Sequence, residues 1–166
     1  MRTCVITLLF LILLLGHALA QQPVVDGADL LEYGIYQSDI ESFIRDDNVA
    51  DQNKIVSRSF VLVEATTKVK ADLDTGFGVK YVLRGTPNGA QVPVEIVVKH
   101  PPMYNPRNGV TYTESRTTFE RTIGKAEYTI WSFDMGWTLV PGTFTIEVLY
   151  QGKILVQKRF EVSLVQ

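Results

Sequence analysis

The clearest alternation in the chain runs from Phe144 to Leu164. Phe144, Ile146, Val148 and Tyr150 fall on one face, and Thr145 and Glu147 on the other. A period of two is that of a half-buried strand. Gln151-Gly152 forms a turn, and Ile154, Val156, Phe160, Val162 and Leu164 line the return strand, with Lys158 as a polar misfit in the apolar row. Pro141-Gly142 stops whatever precedes this hairpin. The same period places Phe77, Val79, Tyr81 and Leu83 on one strand and Val92, Val94, Ile96 and Val98 on the next, with Asn88-Gly89 as the turn signal between them. Ile55–Lys70 carries Val61, Val63, Ala65, Thr67 and Val69 in step. Strands average about 5–6 residues, so this run is expected to bend, bulge or pair with two neighbours. Leu30–Gln37 predicts a short edge strand with Leu31, Tyr33 and Ile35 on one side. Tyr112–Arg121 predicts a polar, Thr-rich strand, and Tyr128–Phe133 another.

Two stretches depart from this period. Ser38 and Glu41 have capping-box spacing, and Ile40, Phe43 and Ile44 lie at helical spacing, which predicts a short helical or loop insertion near residues 38–53. From His100 to Gly109 the chain carries Pro101, Pro102 and Pro106, and prolines at that density predict a loop. Together the segments predict an all-β protein, an immunoglobulin-like β-sandwich of about 7–9 antiparallel strands. One domain is expected over residues 29–166, after a loose start over 21–28.

The first twenty residues do not belong to that pattern. Arg2 precedes an apolar run, Val5–Leu15, and Ala18-Leu19-Ala20 has the small-residue form of a cleavage site. Residues 1–20 therefore predict a secretory signal peptide, and the run is short for a span of about 20 residues. The expected location is periplasmic or secreted. Cys4 is the sole cysteine and lies inside this segment, so the mature chain offers no disulfide and no thiolate ligand. Loss of Arg2 moves the net charge from −2 to about −3. With no basic stripe, nucleic acid is not an expected partner.

Three stretches carry a family resemblance: Gly76-Phe77-Gly78-Val79, His100-Pro101-Pro102, and Trp137-x-x-Val140-Pro141-Gly142-x-Phe144, followed by Phe160-x-Val162. Their order and spacing resemble a bacterial family known as domain of unknown function 3859, over about Tyr33 to Val162. The resemblance implies an exported β-sandwich. It implies no activity, ligand or catalytic residue.

Candidate chemistry is sparse. Asp74-Thr75-Gly76 spells the aspartic-protease triplet, but that reaction needs two aspartates sharing a proton, and a turn uses the same residues. Asp72-x-Asp74-x-Gly76 fails as an EF-hand, because the fifth position is Gly76 and the twelfth is Leu83. A looser calcium site drawing on Asp46, Asp47 or Asp51 stays open. His100 is the mature chain's lone histidine, which excludes a histidine-based metal cluster. A Ser-His-Asp triad has no Gly-x-Ser-x-Gly elbow to support it. Glu95, Glu114, Glu120 and Glu127 are expected on solvated outer faces. The aromatics are the remaining lead for binding: His100, Tyr104, Tyr112, Trp131 and Trp137 are the candidate interaction surface, against a core role for the tryptophans. Tyr128–Phe133 is apolar on both faces, so one face is either covered or a contact surface.

The expected function is that of a non-catalytic binding module, without cofactor or metal, whose partner is a protein or a component of the cell envelope. The alternatives are a small hydrolase or carbohydrate-active protein, which predicts a pocket with a perturbed acid or His100, and a strand-pairing assembly protein, which predicts a long free edge, with Ile55–Lys70 as its candidate.

Overall fold

A computed structural model describes residues 22–45 and 53–165, with the backbone alone over 38–45 and 53–59. Nine strands follow in order: β1 (Val24–Arg45), β2 (Asn53–Glu64), β3 (Lys68–Ala71), β4 (Gly76–Thr86), β5 (Gln91–Asn105), β6 (Val110–Thr122), β7 (Ala126–Ser132), β8 (Gly142–Tyr150) and β9 (Lys153–Leu164). They form two sheets, ordered β2-β1-β4-β7 and β3-β9-β8-β5-β6. Pairing is antiparallel except where β3 runs parallel to β9. The result is an immunoglobulin-like sandwich with a single 3-10 turn, Gly136–Thr138, and no α-helix among the described residues.

The inner rows are those the alternation predicts. Phe77, Val79, Tyr81 and Leu83 of β4 are buried, as are Val92, Val94, Ile96 and Val98 of β5 and Phe144, Ile146 and Val148 of β8. Phe77 packs its ring 5.0 Å from Phe160 and 5.5 Å from Phe144, across the two sheets. The β8–β9 hairpin turns on Gln151 and Gly152, both at positive φ (50° and 79°), the form that fits the twist of paired strands. A register shift between Val148 and Leu149 leaves Ile154 opposite Leu149, on the outer face, so Ile154 is exposed although the alternation places it inside.

Four expectations need correction. The helical insertion near 38–53 is not formed where the chain is described: β1 continues as strand to Arg45, paired with β2 from Ser38↔Phe60 to Arg45↔Asn53. A few helical turns are marginal alone, and a partner strand overrides their local signal; residues 46–52, with Asp46, Asp47 and Asp51, lie outside the described residues. β1 begins at Val24, inside the stretch expected to be a loose start, and it lies between β2 and β4 rather than at an edge. Ile55–Lys70 divides at Ala65–Thr67 into β2 and β3, which join different sheets. Last, the proline stretch belongs to β5 through Asn105. Lys99 pairs with Glu114 and Met103 with Tyr112, so His100, Pro101 and Pro102 stand opposite Thr113 alone. The prolines sit in a bulge, where no ladder hydrogen bond is asked of them.

The first sheet is strongly coiled. Phe60 of β2 and Tyr128 of β7 are separated by two intervening strands, a flat distance of about 14 Å at the usual spacing. Their rings nonetheless lie 5.3 Å apart, and Tyr36 meets Tyr128 edge-on at 5.9 Å. This cluster covers the outer face of β7 and accounts for the apolar character of both its faces.

Candidate functional site

His100 stands in the β5 bulge and is buried. Its ring lies 5.3 Å from Trp131 and 6.0 Å from Phe144. Nδ1 is 2.8 Å from the Pro101 carbonyl, so Nδ1 carries the proton and donates it. Nε2 is left as an acceptor, with Ser115 Oγ at a long 3.5 Å. Burial holds the His100 pKa below the usual histidine value, against smaller upward pulls from the Pro101 carbonyl and the Glu114 charge. The ring is therefore a neutral imidazole oriented by a backbone carbonyl, with packing partners on its faces.

Trp131 lies on β7 opposite Phe77, half-buried against the core, and Trp137 lies in the 3-10 turn, packed in the same way. Both indole N–H groups are inaccessible and without a hydrogen-bond partner among the described residues. Tyr104 and Tyr112 sit apart from this cluster, at the tip of the β5–β6 hairpin, where they are 58 % and 37 % exposed. Tyr112 stands opposite Met103 and Tyr104 opposite Thr111. Successive residues point to opposite faces, so the two tyrosines flank the tip rather than form one platform. The tip is held by buried Asn105, whose Oδ1 accepts the Arg107 N–H at 2.9 Å, and by Asn108, whose Nδ2 donates to Tyr112 Oη at 2.9 Å.

Several carboxylates fall into ion pairs. Glu95 meets Arg116 at 2.8 Å, and Glu114 meets the same guanidinium at 3.5 Å. Glu127 departs from the solvated position expected of it: its side chain is 13 % exposed and pairs with Arg121 at 3.3 Å, at the open side between the sheets. Glu147, on the outer face of β8, is buried between Lys99 (2.9 Å) and Gln157 (2.8 Å). Sequence gives it as a polar-face residue and carries no signal that neighbours close over it. Burial raises its pKa, but the hydrogen bonds from Lys99 and Gln157 and the charges of Lys99 and Arg116 outweigh burial and bring it below the usual glutamate range. Asp74 occupies a turn at φ 65°, with its N–H on the Phe133 carbonyl. Among the described residues no three His, Cys, Asp or Glu side chains gather as a metal site. A cleft of about 350 Å³ beside Gln22–Val25 and Tyr150–Lys153 is lined by neither a carboxylate nor a histidine. No catalytic constellation or cofactor site is identifiable among the described residues.

The sheet edges are the features that sequence resolved least. β2, β7, β3 and β6 are edge strands. β3 is short and presents Lys68 and Lys70; β7, of seven residues, carries the Arg121 bridge. β6 is long and polar, with Glu114, Arg116 and Glu120 exposed. β2 is long, and its Val61 and Val63 are 60 % and 63 % exposed.

The stretches that carry the family resemblance meet in space. Phe77, Phe144 and Phe160 form one aromatic cluster, His100 touches Phe144, and Pro101 packs against the backbone of Gly142. The sequence model described as "Domain of unknown function (DUF3859)" matches residues 25–162. The chain belongs to the DUF3859 family. Its solved relatives in shape include an immunoglobulin-like protein from Pseudomonas aeruginosa, with a TM-score of 0.58 at 22 % identity over 86 % of this chain and 97 % of that one. At this identity the likeness is one of fold. An alkylpurine DNA glycosylase from Pseudomonas fluorescens aligns at a TM-score of 0.37 and 16 % identity, over 58 % of this chain and 27 % of its own, too low to bear on function. No curated protein matches the chain. In this DUF3859 member the stretches that carry the resemblance thus build one packed region of the sandwich.

Proposed function

We propose that this DUF3859 chain is an exported, non-catalytic binding module that takes an extended segment of a protein partner onto the free edge of β2. The observation that carries the reading is the contrast between edges. An unpaired strand edge offers a row of backbone donors and acceptors, and proteins blunt such edges by shortness, lysine or charge. β3 is blunted by its length and its lysines, β7 by the Arg121 guanidinium that donates to its Tyr128 carbonyl, and β6 by alternating charges. β2 carries Lys54, Arg58 and Glu64, but these leave Phe60-Val61-Leu62-Val63 as an uncharged run within a long strand, with the two valines exposed. Strand addition supplies affinity through main-chain hydrogen bonds and selectivity through alternate side chains. The signal-like first twenty residues support export, and an all-β scaffold with no reactive constellation among its described residues supports binding rather than turnover.

A photo-crosslinking residue at Val61 tests the reading in the host's envelope and secreted fractions, with one at Asn88 as the control. The expected result is one reproducible adduct with a different protein from position 61, none from position 88, and loss of the adduct on Val63→Lys. Absence of a position-specific adduct, or an adduct indifferent to Val63→Lys, overturns the reading.

A further inference from the structure

We infer that β6 is a second and separate interface, on which another copy of this chain docks antiparallel about Ser115 so that the two five-stranded sheets become one. Among the described residues β6 is hydrogen-bonded to β5 alone, and its other edge is open. Its charges reject most strands and match its own sequence. A two-fold axis between antiparallel neighbours stands perpendicular to the sheet, so facing residues share a face and their numbers add to an even sum. Centred on Ser115, such an axis sets Glu114 opposite Arg116 of the second copy, and Arg116 opposite its Glu114. Both side chains lie on the outer face and are close to half exposed, at 46 % and 48 %. The same register sets Thr113 opposite Thr117 and Tyr112 opposite Thr118. Opposite charges, Thr pairs and aromatic–Thr pairs are favourable cross-strand neighbours, and like charges are not.

The neighbouring registers fail on charge. An axis at Glu114 or at Arg116 puts that residue against its own copy, and an axis at Thr117 puts Glu114 against Glu120. An axis at Thr118 matches Arg116 with Glu120 but engages only residues 114–122, and it brings each copy against the turn at Ile123–Lys125. The Ser115 register engages residues 110–120, nearly the whole strand. This inference does not depend on the role proposed for β2, which lies in the other sheet.

Two charge reversals test it. In sedimentation equilibrium the wild-type chain is expected to dimerise. Glu114→Arg and Arg116→Glu each place like charges in both facing pairs, and each is expected to weaken association about tenfold or more. Mixed in equal amounts, the two variants form a heterodimer in which both pairs are again opposite in sign, and association is expected to return to within about twofold of wild type. Recovery on mixing requires both variants to be folded, so a folding defect cannot imitate it. Facing Cα atoms in such a pair lie about 4.5–5.5 Å apart, within disulfide reach. In the full chain carrying Cys4→Ser, Ser115→Cys is therefore expected to oxidise to a covalent dimer faster than Thr118→Cys. A monomeric wild type, a failure of the mixture to dimerise, or preferential crosslinking at 118 overturns the inference.

Discussion

Lys158 Nζ lies 3.2 Å from the centroid of the Tyr33 ring. β9 carries the lysine and β1 the tyrosine, so the contact joins the two sheets. The lysine that interrupts an apolar row thus sets its charge on an aromatic face where the core meets solvent. Cation–π contacts are worth about 0.5–1 kcal/mol when exposed and about 2 when desolvated, and the lysine stem adds apolar packing. Lys158→Ala and Tyr33→Leu are each expected to lower the urea midpoint. In a double-mutant cycle their coupling is expected at about 0.5–2 kcal/mol. A coupling near zero would show that the two side chains only share a neighbourhood.

Glu147 makes stability depend on acid. Its pKa lies below the usual glutamate range in the folded chain, through Lys99 and Gln157. The unfolded state therefore binds more protons over the interval between the two values. The stabilisation is fully present above the unfolded value and is lost as pH falls through the folded one. Denaturant midpoints are expected to fall below about pH 4.5, more steeply in wild type than in Glu147→Gln. At neutral pH, Lys99→Met leaves a buried carboxylate with Gln157 as its hydrogen-bond donor and only the Arg116 charge nearby, and is expected to cost about 1–3 kcal/mol. An unchanged midpoint at pH 7 would mean that water replaces the ammonium.

His100 acts in a higher window and for a different reason. Burial lowers its pKa, so the folded state resists protonation where the unfolded state accepts it. Stability is then full above the unfolded value of about 6.5 and declines as pH falls below it, levelling once the folded state also protonates. His100→Gln is expected to remove the slope that sets in below about pH 6.5 while leaving the Glu147 slope at lower pH. Equal slopes in both proteins would place His100 in a more open setting than its contacts with Trp131 and Phe144 give it.

The inner rows were legible because alternation over-determines them. In Phe77–Leu83, Val92–Val98 and Phe144–Val148 every apolar residue of the alternating row is buried, and of the apolar side chains on the other face only Val97 is, so one phase satisfies the strand best. The misreadings have physical causes that alternation does not encode. Residues 38–45 are strand because β2 pairs with them, a long-range fact. Pro101 and Pro102 stay in β5 because a bulge relieves their missing donors. Val61 and Val63 keep a perfect period and are exposed, since a row of valines does not say whether anything covers it. The candidate surface divided for a related reason. His, Trp and Tyr are amphipathic, and sequence does not separate His100, Trp131 and Trp137, built into the packed region, from Tyr104 and Tyr112 at an open tip.

Gly142 tests whether the family motif is a packing device. Its φ is +133°, and a Cβ there would stand 2.7 Å from Pro101 Cγ. The proline ring cannot swing aside as a flexible side chain would, and it is held in the bulge beside His100. Gly142→Ala therefore meets backbone strain and a collision at once, and is expected to cost about 2–4 kcal/mol. Gly89 is the control. Its φ is +84°, but a Cβ there meets nothing within 4 Å, so Gly89→Ala is expected to cost only the backbone term, about 1 kcal/mol. Thermal and urea unfolding of the two variants separates the contributions. A Gly142→Ala loss no larger than that of Gly89→Ala would mean that Pro101 yields, and that Pro141-Gly142 serves the turn rather than the contact with the bulge.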